Sequence, residues 1–127
     1  MKYNRNLVNS DHIIIMDENN VRILSIKERM ENRVAVFSLQ GELLNEIAYE
    51  LEDEISAMLT VCTDVRIDLS GLDFIASKGI QVLLQAQKEI ERKKGTLTLS
   101  GASEEVLEIF ETNGFSELFV FEKGSDD

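Results

Sequence analysis

The sequence predicts an α/β fold built on a mixed, mainly parallel sheet, and three observations carry that prediction. The first is residues 65–90, where Val65, Ile67 and Leu69 alternate with Arg66 and Asp68, a strand period of two. Beyond Ser77 the apolar period lengthens to about 3.6, with Ile80, Leu83, Leu84 and Ile90 on one helical face. Second, two further helical stripes alternate with short apolar runs, which favours βαβ units in a parallel sheet. Third, the apolar runs 21–27 and 34–39 are separated only by a short charged turn. So short a connection makes the opening strand antiparallel to the next. Right-handed crossovers between neighbouring strands would place every helix on one face, although periodicity alone does not distinguish this from a doubly wound sheet.

Each element has its own signal. Residues 1–11 are polar and asparagine-rich and read as a loose arm. Residues 12–16 are a short run with three isoleucines, an extra strand that pairs either with the next one or between subunits. Asp17-Glu18-Asn19-Asn20 is turn chemistry. The N-terminal arm with its extra strand thus covers 1–20, the folded domain 21–122, and a polar tail 123–127. Within the domain, residues 21–27 are the first strand, 28–32 a charged turn, and 34–39 the second strand, which Gly41 ends. Leu44, Ile47, Ala48, Leu51, Ile55 and Leu59 fall at steps of three and four, an amphipathic helix. Glu46, Glu50, Glu52, Asp53 and Glu54 lie mostly on its other faces, where solvation is their expected state.

The central strand at 65–69 is broken by Ser70-Gly71, and the helix after Ser77 runs to Glu91-Arg92-Lys93-Lys94-Gly95. Cations in a last turn and a glycine just past it suit a helix C-terminus. Residues 96–100 form a fourth strand, and Ser103 caps a third helix with Val106, Ile109 and Phe110 on its inner stripe. Asn113-Gly114 closes that helix, and residues 119–122 form the last strand.

Composition excludes several classes of function. The chain has 127 residues, 43% of them hydrophobic, enough for one domain with one core. Its net charge of −11 argues against binding nucleic acid and favours a partner with a basic face. No apolar stretch approaches the ~20 residues of a membrane span, and no leader pattern precedes residues 13–16, so a cytoplasmic location is expected. Cys62 is the only cysteine and His12 the only histidine, which leaves no intrachain disulfide and no His/Cys metal site. His12 is expected to be solvated and Cys62 a partly buried spectator. There is no glycine-rich phosphate-binding motif and no nucleophile with an evident base, so neither an enzyme nor a cofactor is expected.

Ser77 has two readings. A serine at a helix entry accepts hydrogen bonds from free N–H groups as an N-cap. It is also placed for phosphorylation, with the phosphate set against the positive end of the helix dipole.

At this point the sequence resembles a known family. Asp68-Leu69-Ser70 followed by Phe74-Ile75-Ala76-Ser77-Lys78-Gly79-Ile80 resembles the signature loop of STAS domains, nearest to the bacterial anti-sigma factor antagonists. Leu39-Gln40-Gly41-Glu42-Leu43, Lys94-Gly95-Thr96-Leu97-Thr98-Leu99 and the helix from Val106 with Asn113-Gly114-Phe115 fit the same pattern in order. The resemblance implies a single STAS domain with sequential strand order, helices on one face and an antiparallel first strand. It also implies regulation of transcription through protein–protein interaction. The partner would be an anti-sigma factor that is also a serine kinase, with phosphorylation at Ser77 switching the interaction off and a phosphatase reversing it. Carried over residue by residue, the partner-binding positions are Gly41, Glu42, Ala76, Ser77, Lys78 and Gln81, with Gly79 allowing close approach of a backbone. Two positions depart from the family pattern: Ala76 and Leu44 stand where an aspartate is usual. These departures raise the alternative of a STAS scaffold in a signalling complex whose serine is not phosphorylated. The N-terminal arm offers a homodimer contact.

Overall fold

Seven strands form one sheet in the order in which they occur along the chain: β1 (Tyr3–Asn9), β2 (His12–Asp17), β3 (Arg22–Glu31), β4 (Val34–Leu43), β5 (Asp64–Ile75), β6 (Leu97–Ser100) and β7 (Val120–Glu122). The computed structural model describes residues 2–123, so most of the expected polar tail lies outside the described residues. Strands β1 to β4 pair antiparallel, and β4 to β7 pair parallel. The parallel half follows from the crossover helices α1 (Ala48–Met58), α2 (Ser77–Arg92) and α3 (Glu104–Thr112). The three helices lie on one face, where their inward residues join alternate residues of the strands in a single buried cluster. Ile67, Leu83, Ile90 and Phe110 are fully buried there. Phe110 meets Phe119 and Phe121 edge-to-face at 5.5 and 5.2 Å, which fastens α3 to the last strand.

Several boundaries differ from the sequence expectations. Residues 3–9 are a strand, not a loose arm; β1 pairs with β2 from Tyr3↔Asp17 to Leu7↔Ile13. Its polar side chains conceal the strand, because an edge strand with two wet faces shows no apolar alternation. The β3–β4 hairpin is longer than expected. Its turn is Asn32-Arg33, both at positive φ (51° and 71°), the two-residue connection whose twist matches the strands. Strand β5 does not stop at Ser70-Gly71 but continues to Ile75, paired with a prolonged β4 through two register shifts. At the end of α2 the left-handed residue is Lys94 (φ 65°), not Gly95. Gly95 is needed for a different reason: a Cβ there would run into the Thr63 carbonyl.

Two expected surface groups are also placed differently. His12 lies on β2, half-buried, with Nε2 2.8 Å from Ser25 Oγ. Partial burial and the nearby charges of Lys27 and Arg22 hold its pKa below the ordinary histidine value. On α1, Glu50 is buried, because Arg5 of β1 folds over it, with Nε 3.5 Å from Glu50 and a terminal nitrogen 3.1 Å from Glu54. Cys62 is half-buried, its thiol pushed up by burial and donating to the Met58 carbonyl, so it is a poor nucleophile.

Candidate functional site

The C-terminal ends of β4 and β5 deliver the chain to the start of α2, and everything around Ser77 follows from that junction. The residue before the helix, Ala76, is extended (φ −84°, ψ 168°) and has no side chain that could cap. Its N–H is taken by the Leu43 carbonyl at 2.9 Å, which ties the β5 end to β4. Ser77 is the first helical residue rather than the cap, so its hydroxyl is not at the capping position. The free N–H of Lys78 is satisfied instead by Asn45 Oδ1 at 2.9 Å, reaching across from the single 3-10 turn Asn45–Ile47 that precedes α1. Asn45 thus supplies from another element the capping bond that sequence reasoning assigned to Ser77. Nothing local marks it, since the two residues are 33 positions apart.

The consequence is an exposed serine whose hydroxyl is not occupied by the helix end. Two open grooves flank it. On one side α1 and α2 border a groove of about 630 Å³, lined by Asn45, Glu46, Tyr49, Glu52, Lys78 and Gln81 among others. On the other side lies a groove of about 420 Å³ between the β5–α2 junction and α3, lined by Phe74, Ala76, Ser77, Glu108, Ile109 and Asn113 among others. Asn45 lines both. Phe74 is an exposed aromatic at the mouth of the second groove.

The sequence-derived partner-binding residues divide into two groups. Ala76, Ser77, Lys78 and Gln81 lie along these grooves. Gly41 and Glu42 line neither. Gly41 sits in β4 at φ 109°, where a side chain would strike the Ile23 carbonyl, so its glycine identity is explained by strand packing. Glu42 is exposed on β4 and pairs in register with Phe74. Gly79 is buried, and a Cβ there would press on Ile75 and Leu43, so it serves helix–sheet contact inside the protein and does not face outward. Leu44 and Ala76, the two departures from the family's aspartates, are both half-buried. Among the described residues no cluster of His, Cys, Asp or Glu could hold a metal ion, and no helix is long and apolar enough to cross a membrane.

The family described as "Mlab, STAS domain" matches residues 26–120. The chain belongs to the STAS domain family. A relative named "Putative anti-sigma factor antagonist BtrV", from Bordetella bronchiseptica, is 35% identical over 82 residues, which cover 64% of this chain and 71% of that protein. An anti-sigma-B factor antagonist of Listeria monocytogenes is 26% identical over 96 residues, covering 75% and 83% of the two chains. Among solved structures, the anti-sigma factor antagonist SpoIIAA in its unphosphorylated form shares the fold with a TM-score of 0.70 at 22% identity, over 80% of this chain and 89% of that one. The Bacillus cell fate determinant SpoIIAA in the phosphorylated form aligns with a TM-score of 0.65 at 21% identity, over 80% and 92%. The family match begins at residue 26, so β1 and β2 of this STAS domain precede the matched region.

Proposed function

We propose that this STAS domain is an anti-sigma factor antagonist. It binds an anti-sigma factor that is also a serine kinase through the surface around Ser77, and phosphorylation of Ser77 switches it off. The observation that carries the reading is the exposed Ser77 hydroxyl, released from capping by Asn45 and set between two open grooves. A kinase needs a hydroxyl it can draw into its own site, and this one is not engaged by its helix. The names of the relatives support the class of function, and SpoIIAA was itself solved in both unphosphorylated and phosphorylated forms.

A phosphate at the first residue of α2 would lie at the positive end of the helix dipole, so the fold would tolerate it. It would also add roughly two negative charges and considerable bulk between the grooves. Glu46 and Glu52 border the first groove and Glu108 the second, with Lys78 the one cation along either among the described residues. The switch therefore acts on the fit of a partner and leaves the folded domain intact. A phosphatase would reset the hydroxyl.

The test has two arms. Phosphate is mapped by mass spectrometry on the protein recovered from its native host and after incubation with its anti-sigma kinase and ATP. The expected result is modification at Ser77. Binding to that kinase is then measured for Ser77→Asp and Ser77→Ala, with loss expected for the first and retention for the second. Phosphate found only at other positions overturns the switch. Equal binding by both variants would instead make the domain an unphosphorylated scaffold, the reading that Ala76 and Leu44 favour.

A further inference from the structure

We infer that the groove between the β5–α2 junction and α3 takes an apolar side chain of the anti-sigma factor kinase, with Phe74 as the anchor on this chain. The inference rests on the Ser77 reading and names the chemistry of the contact made there. Ser77 is itself a wall of this groove, beside Phe74, Ile75 and Ala76 and across from Ile109 of α3. Phosphoryl transfer needs the reacting atoms about 3–3.5 Å apart. A kinase acting on Ser77 must therefore cover the groove that this residue lines, and that fixes the occupant as the kinase.

The chemistry of the occupant follows from the walls. Most of the groove's exposed surface is apolar, and Glu108 is its one charged group among the described residues. A basic segment would find more carboxylate in the other groove, with Glu46 and Glu52. Phe74 is 39% exposed and stands outside the buried core. Apolar side chains scattered singly over a surface are ordinary, but Phe74, Ile75 and Ala76 are consecutive and end at the acceptor serine. Exposed aromatic rings of this kind are the usual anchors of protein interfaces. Ala76 sets the polarity beside them. It holds the N-cap position of α2 in extended backbone, φ −84° and ψ 168°, where Ser, Thr, Asp or Asn is favoured because its side chain bonds a free amide. Any of those would put a polar group in the groove. Alanine puts a methyl there, and the Lys78 amide is bonded from outside by Asn45. The Ala76 N–H is held by the Leu43 carbonyl at 2.9 Å, so the strip is fixed before a partner arrives.

The test is the steady-state phosphorylation of the full chain by its anti-sigma factor kinase and ATP, with the chain as the varied substrate. Phe74→Gln, a polar side chain of comparable reach, should raise KM by about tenfold or more, the loss typical of an interface anchor. Its kcat should stay within about twofold, because the contact is made on docking. Phe74→Leu keeps the apolar contact and should stay within about threefold of the wild-type KM. Ala76→Asn gives α2 a favoured cap, so its melting temperature should equal or exceed the wild type's while its KM rises. Leu107→Gln alters a similarly exposed apolar residue of α3 that does not line the groove, and should behave as the wild type. Wild-type KM for both Phe74→Gln and Ala76→Asn overturns this inference and leaves the Ser77 reading standing. So does a Phe74→Leu variant as impaired as Phe74→Gln, or an equal loss in Leu107→Gln. A wild type that dimerises alone in sedimentation velocity, with the dimer abolished by Phe74→Gln, overturns it by making a second copy the occupant. A wild type that takes no phosphate at Ser77 removes the Ser77 reading and this inference with it.

Discussion

Glu28→Gln should raise stability at alkaline pH while changing little at acidic pH. Glu28 on β3 points to the helix side, where the carboxylates of Glu54 of α1 and of Asp11 act on it. Burial first, then Glu54, pushes its pKa from 4.5 up to about 8, against the smaller opposing effect of Arg5. Arg5 already serves Glu50 and Glu54, so Glu28 shares that cation with two other carboxylates. The folded state thus keeps a proton that the unfolded chain loses near pH 4.5. Its stabilising effect is whole below that pH and is lost as pH rises towards 8. Taken at face value, a change of that size would be worth nearly 5 kcal/mol at about 1.4 kcal/mol per pH unit. Glu28 is only half-buried, and solvent screening reduces this to about 1–2 kcal/mol.

A glutamine keeps a donor for Glu54 and removes the titration. Its melting temperature should match the wild type near pH 4.5 and exceed it by about 3–8 °C above pH 8, the gap opening through the interval between. Differential scanning calorimetry of both proteins in matched buffers reads this gap. A difference that stays constant from pH 5 to 9 would refute the reasoning, because it would mean that Glu28 does not carry the proton.

Two substitutions test the junction at Ser77 and the packing beneath it. Asn45→Ala removes the bond to the Lys78 N–H and should cost about 0.5–2 kcal/mol in denaturant unfolding, whereas Ser77→Ala should cost less than about 0.5 kcal/mol. The reverse ranking would restore Ser77 as the cap. Gly41→Ala combines a left-handed backbone at φ 109° with a clash against the Ile23 carbonyl, so a loss above about 2 kcal/mol is expected by the same measurement.

The sequence by itself determined the elements whose inner faces are apolar. The stripe from Leu44 to Leu59, the alternation at 65–69 and the helix after Ser77 were readable because burying one face imposes a period on the residues that form it. The parallel half of the sheet followed from their alternation. Its sequential order and one-sided helices came from the resemblance, and the structure has both. What the tertiary structure decided was each contact between elements distant in the chain. Strand β1 carries no apolar period and becomes a strand because β2 offers it a ladder and α1 offers carboxylates to Arg5. Ser77 has the local chemistry of a cap, yet Asn45 caps the helix because the 3-10 turn is brought beside it in space. Glu50 and Glu54 are spaced like solvated residues on a helix surface, and only the arrival of β1 makes them an ion-pair site. Local preference fixes a residue's options within a turn or two. The choice among them rests with whichever distant group arrives to satisfy an unpaired donor, acceptor or charge.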